Sequence, residues 1–587
     1  MNTPLPLAAD SKNLFSAYAS GEHDRLSGDF LSVLKYFSQT LFLNKQALQD
    51  AATPFLKIFF TLFTQPDYII SEQYVPAFIL HNTLISNLTA VTPFKNTDVI
   101  LNIVRNQPSN FVKILALYSS RNSVSFDRKL FFDASPKLAT LWYNQYCELY
   151  KSGLVNADIV RNMAEHMRFH DERMMPELGM AAPYFGSSYV GDDIDRDMKP
   201  LQNKMIQRYA RFEAKNTPDP KKIAVISDFW YPAHSVYRNY AAFVKELQKN
   251  YSLSLFHILT PREKLDVSMF DHVQQFSMSG GIPRDILSAA NFQLVYFPDI
   301  GMTEPSMLLS NCRIAPIQIS SPGHSVSSWG ADIDYFISGA DVEVAREPEK
   351  NYSERLVLLP GMGAIHNQPR YVPQGITKKT SQIIVNCPWS GHKTHARYLE
   401  TLRTLFSHLE EKPLLRIFPG IGVAQENAHF PFADELQKAL GEVAIAEVRA
   451  AMEYDDYMRL MEEGDLTIDS FHFAGCNGIA DSLFLRKPTV VWEGDKWYNR
   501  IGPSMLRLVG LDEFICENEK QYIDKCLLLI RNAKKRAQVK VCLEKANLDN
   551  TIFSTKDAPS FARAVDYLIA NHEKLQQEKS RKPIKIR

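Results

Sequence analysis

The sequence has few cysteines and no excess of either charge. Its seven cysteines are spread between Cys147 and Cys542 without a Cys-x-x-Cys pair, a pattern that is typical of free thiols in a reducing compartment. Lys plus Arg and Asp plus Glu each number 66. This balance gives no indication that nucleic acid or a membrane surface is the main partner.

Signals for targeting and membrane insertion are also missing. Residues 1–12 carry two prolines and an acidic residue, and they lack the basic start and apolar run of a signal peptide. The most apolar early run, 55–63, is interrupted by Lys57 and is far shorter than the about 20 residues that a membrane span needs. We therefore expect no transmembrane segment and a cytoplasmic protein.

Two common catalytic signatures are absent as well. The sequence contains neither Gly-x-Ser-x-Gly nor a complete P-loop. It therefore gives no support to a serine hydrolase or a P-loop NTPase.

Residues 1–215 predict an all-α N-terminal domain. Apolar residues recur there at helical spacing, as in Phe30, Leu34, Phe37 and Leu41. The segment 216–220 then contains two prolines with Asn and Asp, which end a helix and form a linker.

After the linker, short apolar runs alternate with helical patterns, which predicts parallel sheets covered by helices. The first series of predicted strands is 223–227, 253–259, 294–297, 316–320, 335–338 and 356–359. The second series is 383–387, 414–418, 443–446, 466–469 and 489–492. The segments 522–531 and 561–575 are predicted to be closing helices of the second series, and Lys579, Arg581, Lys582, Lys585 and Arg587 a solvated tail.

This pattern predicts the fold class and the domains. The fold class is α/β, with a GT-B fold of two Rossmann-like lobes preceded by an all-α N-terminal domain. The predicted domains are 1–215 (all-α), 221–373 (N-terminal Rossmann-like lobe) and 374–587. The last of these is the C-terminal lobe, which would bind a nucleotide sugar and carry the closing helices and the basic tail.

A small-residue turn at 469–481 follows a predicted strand and runs into a helix. Asn477 and Gly478 lie at the helix start, where unpaired amides and the positive dipole end favour an anion such as a diphosphate. Asp481, on the first helical turn, could accept hydrogen bonds from ribose hydroxyls. The alternative is an ordinary strand–helix turn in which Asp481 only complements the helix dipole.

Three further side chains follow predicted strands and would face a cleft. Lys393 follows strand 383–387 and could reach a phosphate, or it is a solvated surface lysine. His234 follows strand 223–227 and His324 follows strand 316–320. The ordinary pKa of histidine, about 6.5, suits proton transfer. The alternative is that both are structural histidines.

A catalytic metal site is not expected. Asp-x-Asp pairs occur at Asp193/Asp195 and Asp332/Asp334. The first pair lies in the helical region and the second enters a predicted strand, so neither has the small polar loop that hard cations prefer. A helix N-terminus together with Lys393 could neutralise a leaving diphosphate without a metal.

Several strings resemble glycosyltransferase family forty-one, and above all its bacterial cytoplasmic N-glycosyltransferases, which include enzymes that modify adhesins. The eukaryotic O-GlcNAc transferase is a more distant relative. The strings are residues 232–238, 300–302, 310–318, 323–324 and 477–481, and weaker similarity extends through most of the chain.

The resemblance implies a function and roles for the site residues. It implies a hexose, glucose first, moved with inversion from a UDP-sugar co-substrate to a polypeptide acceptor, such as an adhesin or another surface protein. No other cofactor is expected. By position, Lys393 is similar to the family's phosphate-contacting lysine, Asn477 and Gly478 to its diphosphate-binding turn, and Asp481 to its ribose-binding acid. His234 and His324 match histidines that line its catalytic cleft.

The sequence leaves the acceptor open. We expect an Asn side chain in Asn-x-Ser/Thr, with His234 first and His324 second as the histidine that orients or deprotonates the acceptor. The alternatives are an O-linked transferase acting on Ser or Thr, a transferase for a small acceptor, and a non-catalytic GT-B protein that binds UDP. A nucleotide-sugar epimerase shares the fold but would not need a long helical domain.

Overall fold

A computed structural model describes residues 10–107, 111–261, 263–278, 282–376, 378, 380–578 and 580–587. Its contacts divide the chain into two compact units. Unit 1 comprises Met1–Ile194, Ser390–Arg403 and Ile417–Ala451, and unit 2 comprises Asp195–Trp389, Thr404–Arg416 and Met452–Arg587.

The described residues before the first strand form helices, as predicted. They are α1 (Ser11–Ala19), α2 (His23–Gln39), α3 (Lys45–Phe63), α4 (Val75–Leu80), α5 (Asn82–Val91), α6 (Asp98–Val104), α7 (Phe111–Leu117), α8 (Arg128–Ala134), α9 (Pro136–Glu148), α10 (Ala157–Arg168), α11 (Ala181–Val190) and α12 (Ile194–Tyr209).

Aromatic side chains hold the first helices of unit 1 together. The ring of Phe30 on α2 meets the ring of Phe59 on α3 edge to face, with centroids 5.0 Å apart. Phe59 also packs against Phe63, with centroids 4.6 Å apart. All three side chains are buried, so the helical spacing seen in the sequence produces one apolar face.

Unit 2 contains an eight-stranded parallel sheet, in the order β14-β7-β6-β5-β4-β1-β2-β3. Its strands are β1 (Asp219–Ile226), β2 (Ser252–His257), β3 (His272–Gln275), β4 (Phe292–Phe297), β5 (Ile317–Ser320), β6 (Tyr335–Gly339), β7 (Arg355–Leu359) and β14 (Ile584–Lys585). The helices between these strands are α13 (Ser235–Leu247), α14 (Arg284–Ala289) and α15 (Glu304–Ser310). The strand order reverses between β1 and β4, and such a reversal creates a crevice at the carboxyl ends of the strands.

Most of the later strands form a second sheet in unit 2, and one of them, Ile445–Val448, lies in unit 1. These strands are β8 (Ile384–Cys387), β9 (Leu414–Ile417), β10 (Ile445–Val448), β11 (Leu466–Ile468), β12 (Thr489–Trp492) and β13 (Ile515–Cys516). Within this sheet β9, β8, β11, β12 and β13 are neighbours in that order. The order reverses between β8 and β11, which pair in parallel.

The remaining helices complete the chain. They are α16 (Ala396–Ser407), α17 (Gly420–Ala424), α18 (His429–Leu440), α19 (Tyr454–Glu463), α20 (Asn477–Phe484), α21 (Ile501–Leu508), α22 (Glu519–Arg531), α23 (Ala533–Lys545) and α24 (Pro559–Gln577). Among the described residues, no helix combines the length and the apolar character that a membrane span requires.

Each strand predicted from the sequence is present, and the predicted fold class is confirmed by the helical region and the two parallel sheets. The sequence did not predict β3, β13 and β14. The domain boundaries at 215, 221, 373 and 374 stay a prediction.

The last helix, α24, packs on the first sheet. The ring of Phe561 stacks on Phe243 of α13 at 5.2 Å and meets Tyr296 of β4 at 5.4 Å. These three side chains belong to the buried core of that sheet. The prediction that 561–575 closes the second series is therefore wrong, because the apolar face of α24 completes the first sheet's core instead.

The basic side chains of Arg581, Lys582, Lys585 and Arg587 are exposed, as a solvated tail predicts, while Lys579 lies outside the described residues. The backbone of this segment, however, is not a free tail. Ile584 pairs in parallel with Val357, which makes β14 the edge strand of the first sheet. Arg581 donates hydrogen bonds to the backbone carbonyl oxygens of Tyr352 (2.8 Å) and Ser353 (2.7 Å). The alternating apolar and basic residues of this segment thus form an edge strand with charged side chains.

Candidate functional site

His234 caps helix α13. Its Nδ1 atom accepts a hydrogen bond from the backbone N–H of Val236 at 3.2 Å. The imidazole also stacks on Phe229, with centroids 4.3 Å apart and planes at 11°. Because Nδ1 provides the lone pair for the cap, the hydrogen of the neutral ring lies on Nε2.

His324 follows Gly323, in a turn where only glycine fits at position 323. A Cβ atom on Gly323 would lie 1.9 Å from the carbonyl oxygen of Pro298, which follows β4, and 3.4 Å from Val236 of α13. The close approach places the turn against the carboxyl end of β4 and the start of α13. His324 itself is buried, with 5% of its surface exposed.

A buried carboxyl group that the sequence did not single out occupies the same crevice. Asp299 directly follows Pro298, and its Oδ2 atom accepts a hydrogen bond from the hydroxyl of Ser227 at 2.6 Å. Its Oδ1 atom has no hydrogen-bond partner among the described residues. Burial, with a smaller contribution from Asp228, raises the pKa of Asp299 to about 8, so this side chain is protonated near neutral pH.

The turn before α20 has the form that the sequence predicted. Asp469, at the end of β11, accepts hydrogen bonds at Oδ1 from the amides of Ser470 (2.9 Å) and Gly475 (2.8 Å), which shapes the turn. Helix α20 then begins at Asn477 without a side-chain cap. A Cβ atom on Gly478 would lie 3.0 Å from Pro388, which follows β8. The partly exposed helix start therefore meets the carboxyl ends of β8 and β11.

Asp481 is engaged by two side chains. Arg238 of α13 donates to it from Nη2 at 2.6 Å and from Nη1 at 3.4 Å, and the Tyr454 hydroxyl donates at 2.7 Å. The guanidinium also lies over the Tyr454 ring, 5.3 Å from its centroid. Burial is the largest single influence and lowers the pKa of Arg238, but the charge and hydrogen bond of Asp481, together with Tyr454 and Tyr457, outweigh it, so the net shift of the pKa is upward.

His366 contacts the start of the same helix. Its Nδ1 atom lies 3.1 Å from Oδ1 of Asn477. Burial, and then the positive charge of Arg238, lower the pKa of His366 to about 4. The imidazole is therefore neutral at ordinary pH.

The structure thus brings most of the predicted site residues into one connected group in unit 2. The amide of Arg238 donates to the carbonyl oxygen of His234 at 3.0 Å, and the Arg238 side chain reaches Asp481. Sequence reasoning missed Arg238, Tyr454 and His366 as members of this group. Arg238 stands in the string 232–238 that carried the resemblance, one helical turn after His234, which is the signal that could have found it.

Lys393 lies in unit 1, directly after a histidine that is surrounded by aromatic rings. The preceding His392 is surrounded by rings of α11 and the segment before it: Tyr189, Phe185 and Tyr150 lie at centroid distances of 4.3, 5.8 and 6.0 Å. Burial, followed by the charges of Lys393 and Lys151, lowers the pKa of His392 to about 3. The buried, neutral imidazole of His392 fixes the backbone beside Lys393. A contact between Lys393 and a phosphate stays a prediction.

The second Asp-x-Asp pair is engaged by an arginine. Arg313 contacts Asp332 through Nε at 3.2 Å and Asp334 through Nη1 at 2.7 Å. In the other pair, Asp195 accepts a hydrogen bond from the Trp329 indole at 3.1 Å. Asp195, Asp332 and Asp334 are therefore engaged by protein groups, which makes these pairs poor candidates for a metal.

Comparisons with known proteins agree with this fold. No family model matches the chain. The UDP-glucose:protein N-beta-glucosyltransferase of Actinobacillus pleuropneumoniae serotype 5b (strain L20) is 20% identical over 93% of this chain and 96% of its own length. The SPINDLY protein of Solanum lycopersicum, named as a UDP-N-acetylglucosamine–peptide N-acetylglucosaminyltransferase, is 20% identical over 40% of this chain and 25% of its own length.

One solved structure covers nearly the whole chain. It is a variant of the O-GlcNAc transferase from Thermobaculum terrenum, with a TM-score of 0.61 and 16% identity over 97% of this chain and 98% of that one. This likeness confirms the GT-B fold with its helical N-terminal region. The family resemblance predicted from the sequence is likewise confirmed: the chain is a homologue of protein glycosyltransferases of the O-GlcNAc transferase and bacterial N-glucosyltransferase type.

Proposed function

We propose that the protein is an inverting, metal-independent glycosyltransferase that moves glucose from UDP-glucose to an Asn side chain in Asn-x-Ser/Thr of a polypeptide. The observation that carries this proposal is the similarity to the N-beta-glucosyltransferase, which spans almost the full length of both chains. This similarity includes the helical region as well as both lobes.

The start of α20 is suited to the diphosphate of a UDP-sugar. The first amides of a helix lack intrahelical partners and carry the positive end of the helix dipole. Asn477 adds a side-chain amide, and Gly478 admits the close approach of the neighbouring loop. These donors would stabilise the charge that develops on the leaving UDP, and such preorganised groups are each worth about 3 kcal/mol. Lys393 is proposed as a phosphate contact only because it is similar by position to the family's phosphate-contacting lysine.

Inversion follows from a single displacement at the anomeric carbon. UDP-glucose is an α-glycoside, and the relative's name specifies a β-linked product, so attack opposite the leaving UDP accounts for the product. The engagement of Asp332 and Asp334 by Arg313 supports a reaction without a metal, because these two carboxylates are then not free to hold one.

His234 is proposed to orient the acceptor rather than to deprotonate it. Its Nδ1 lone pair is used by the N–H of Val236, and the hydrogen on Nε2 can be donated to a carbonyl oxygen. An Asn side chain presents such an oxygen beside its poorly nucleophilic nitrogen. His324, which is buried next to Gly323, would help to hold the acceptor in this orientation.

The chief alternative is an O-linked transferase for Ser or Thr. A non-catalytic protein that binds UDP is the other alternative. An adhesin as acceptor and a cytoplasmic location belong to this proposal too.

The test is a transfer assay read by the intact mass of the product. The purified protein, with EDTA, is incubated with separate UDP-hexoses and three matched peptides that carry Asn-x-Thr, Gln-x-Thr or Gln-x-Ala. A gain of one hexose on the first peptide only, with UDP-glucose and not with Lys393→Ala, supports the proposal. Lys350→Ala, an exposed lysine, serves as the control. A gain on Gln-x-Thr supports O-transfer, and UDP binding without any gain supports the non-catalytic alternative.

A further inference from the structure

His366 is held rigidly beside the start of α20. The backbone N–H groups on its two sides donate to α13: Ile365 to the carbonyl oxygen of Asn239 at 3.0 Å and Asn367 to that of Arg238 at 2.8 Å. The side chain is buried, with 1% of its surface exposed. The position of His366 relative to Asn477 is therefore set by these backbone hydrogen bonds.

We propose that His366 is a positioning residue that locks the side-chain amide of Asn477, so that the amide offers its NH2 group to the diphosphate of the sugar nucleotide. The inference rests on the proposed function, because it assigns the diphosphate to the start of α20. It adds a residue that does not touch the ligand and acts through another.

The chemistry of the contact fixes the direction of the hydrogen bond. Oδ1 of an Asn amide can only accept, so Nδ1 of His366 carries the hydrogen and donates. A neutral imidazole has one N–H, so Nε2 bears the lone pair. That atom is buried and has no hydrogen-bond partner among the described residues. No hydrogen bond at Nε2 therefore stabilises the opposite tautomer, in which Nε2 carries the hydrogen.

The fixed orientation of the Asn477 amide has a consequence for anion binding. The acceptor end of the Asn477 amide is used by His366, and the NH2 group lies on the other side of the amide. An anion at the start of α20 then meets only N–H donors, from the helix amides and from this side chain. If the amide rotated by half a turn, Oδ1 would face the phosphate and repel it.

The test is a double-mutant cycle on UDP affinity, measured by isothermal titration calorimetry. The proteins are the wild type, His366→Leu, Asn477→Ala and the double variant. His366→Leu is expected to weaken UDP binding about tenfold, the value of one good hydrogen bond to the ligand. The double variant is expected to bind within about twofold of Asn477→Ala, because His366 acts through Asn477. Equal losses in both backgrounds would overturn the inference.

His366→Asn separates positioning from a general loss of structure. An Asn side chain places an amide nitrogen close to where Nδ1 stands, so it keeps the donor, and its affinity is expected within about threefold of the wild type. Binding as weak as that of His366→Leu would overturn the inference. The melting temperature without UDP shows whether either variant has lost its fold.

The pH dependence distinguishes a neutral His366 from a charged ligand of the phosphate. The ratio of the dissociation constants of His366→Leu and wild type is expected to be the same at pH 6.5 and 8.5, and titration of UDP itself cancels in this ratio. A ratio that rises at pH 6.5 would show a cationic contact and overturn the inference. If the wild type does not bind UDP, the proposed function fails, and the same cycle with inorganic pyrophosphate still tests the lock.

Discussion

The ion pair between Arg238 and Asp481 makes a quantitative prediction about the site. The exposed fractions of the two side chains are 11% and 3%. Arg238→Met keeps most of the side-chain volume but removes the charge, which leaves the Asp481 carboxylate with the Tyr454 hydroxyl alone. An unpaired charge left in a buried site costs about 3–5 kcal/mol. We expect the free energy of opening of α20 to fall by that amount.

Hydrogen exchange read by mass spectrometry on peptides covering Asn477–Phe484 measures this opening free energy. Asp481→Asn alone should also be costly, because it leaves the Arg238 charge buried without its partner. The double variant should be more stable than either single variant, since both charges are gone. The coupling energy of the cycle is expected to exceed about 2 kcal/mol.

A surface pair provides the matched control. Lys350 and Glu347 are joined at 2.7 Å, but their side chains are 67% and 48% exposed. The corresponding cycle with Lys350→Met and Glu347→Gln should give a coupling energy of about 0.2–1 kcal/mol. If the Arg238–Asp481 coupling is as small as that of the surface pair, burial does not strengthen this contact and the reasoning is refuted.

Three further predictions concern packing, protonation and the C-terminal strand. Gly323→Ala should lower the melting temperature and abolish transfer, because its Cβ would lie 1.9 Å from a backbone oxygen; Gly28→Ala, in the open interior of α2, should instead stabilise unit 1 by about 0.5–1 kcal/mol. The raised pKa of Asp299 contributes stability that is present below about pH 4 and is lost as the pH rises to about 8. In urea unfolding at pH 5 to 9, the free energy of unfolding of Asp299→Asn should therefore rise relative to that of the wild type as the pH increases. Deleting 580–587 should lower the melting temperature, because Ile584 and its strand leave the first sheet; an unchanged melting temperature would contradict the pairing.

Much of the fold could be predicted because its strands are buried on both faces and therefore appear as continuous apolar runs. β3 could not, since all four of its residues are exposed and no apolar pattern marks it. β14 consists of two residues, and a basic segment of that length gives no local signal for an edge strand. The placement of α24 failed for another reason, because an apolar helix face does not say which sheet it covers.

The site could be predicted only where a residue follows a strand or starts a helix. That rule located His234, His324, Asn477 and Asp481 at the carboxyl edges of the two sheets. It could not locate the partners of these residues, since Arg238 is separated from Asp481 by 243 positions. Such pairs depend on how two lobes of the fold are packed, and one sequence carries no local record of that packing.

The occupancy of Asp481 constrains how a sugar nucleotide can use it. A carboxylate offers about four acceptor positions, and Arg238 takes two of them and Tyr454 a third. A ribose hydroxyl therefore has one position left unless Arg238 moves away. Because moving it would leave a buried charge unpaired, ribose binding that keeps the pair intact is favoured by several kcal/mol. In the proposed reaction Asp481 would then serve the donor chiefly by holding α20 against α13. The helix start, with Asn477 oriented by His366, would make the direct contacts with the diphosphate.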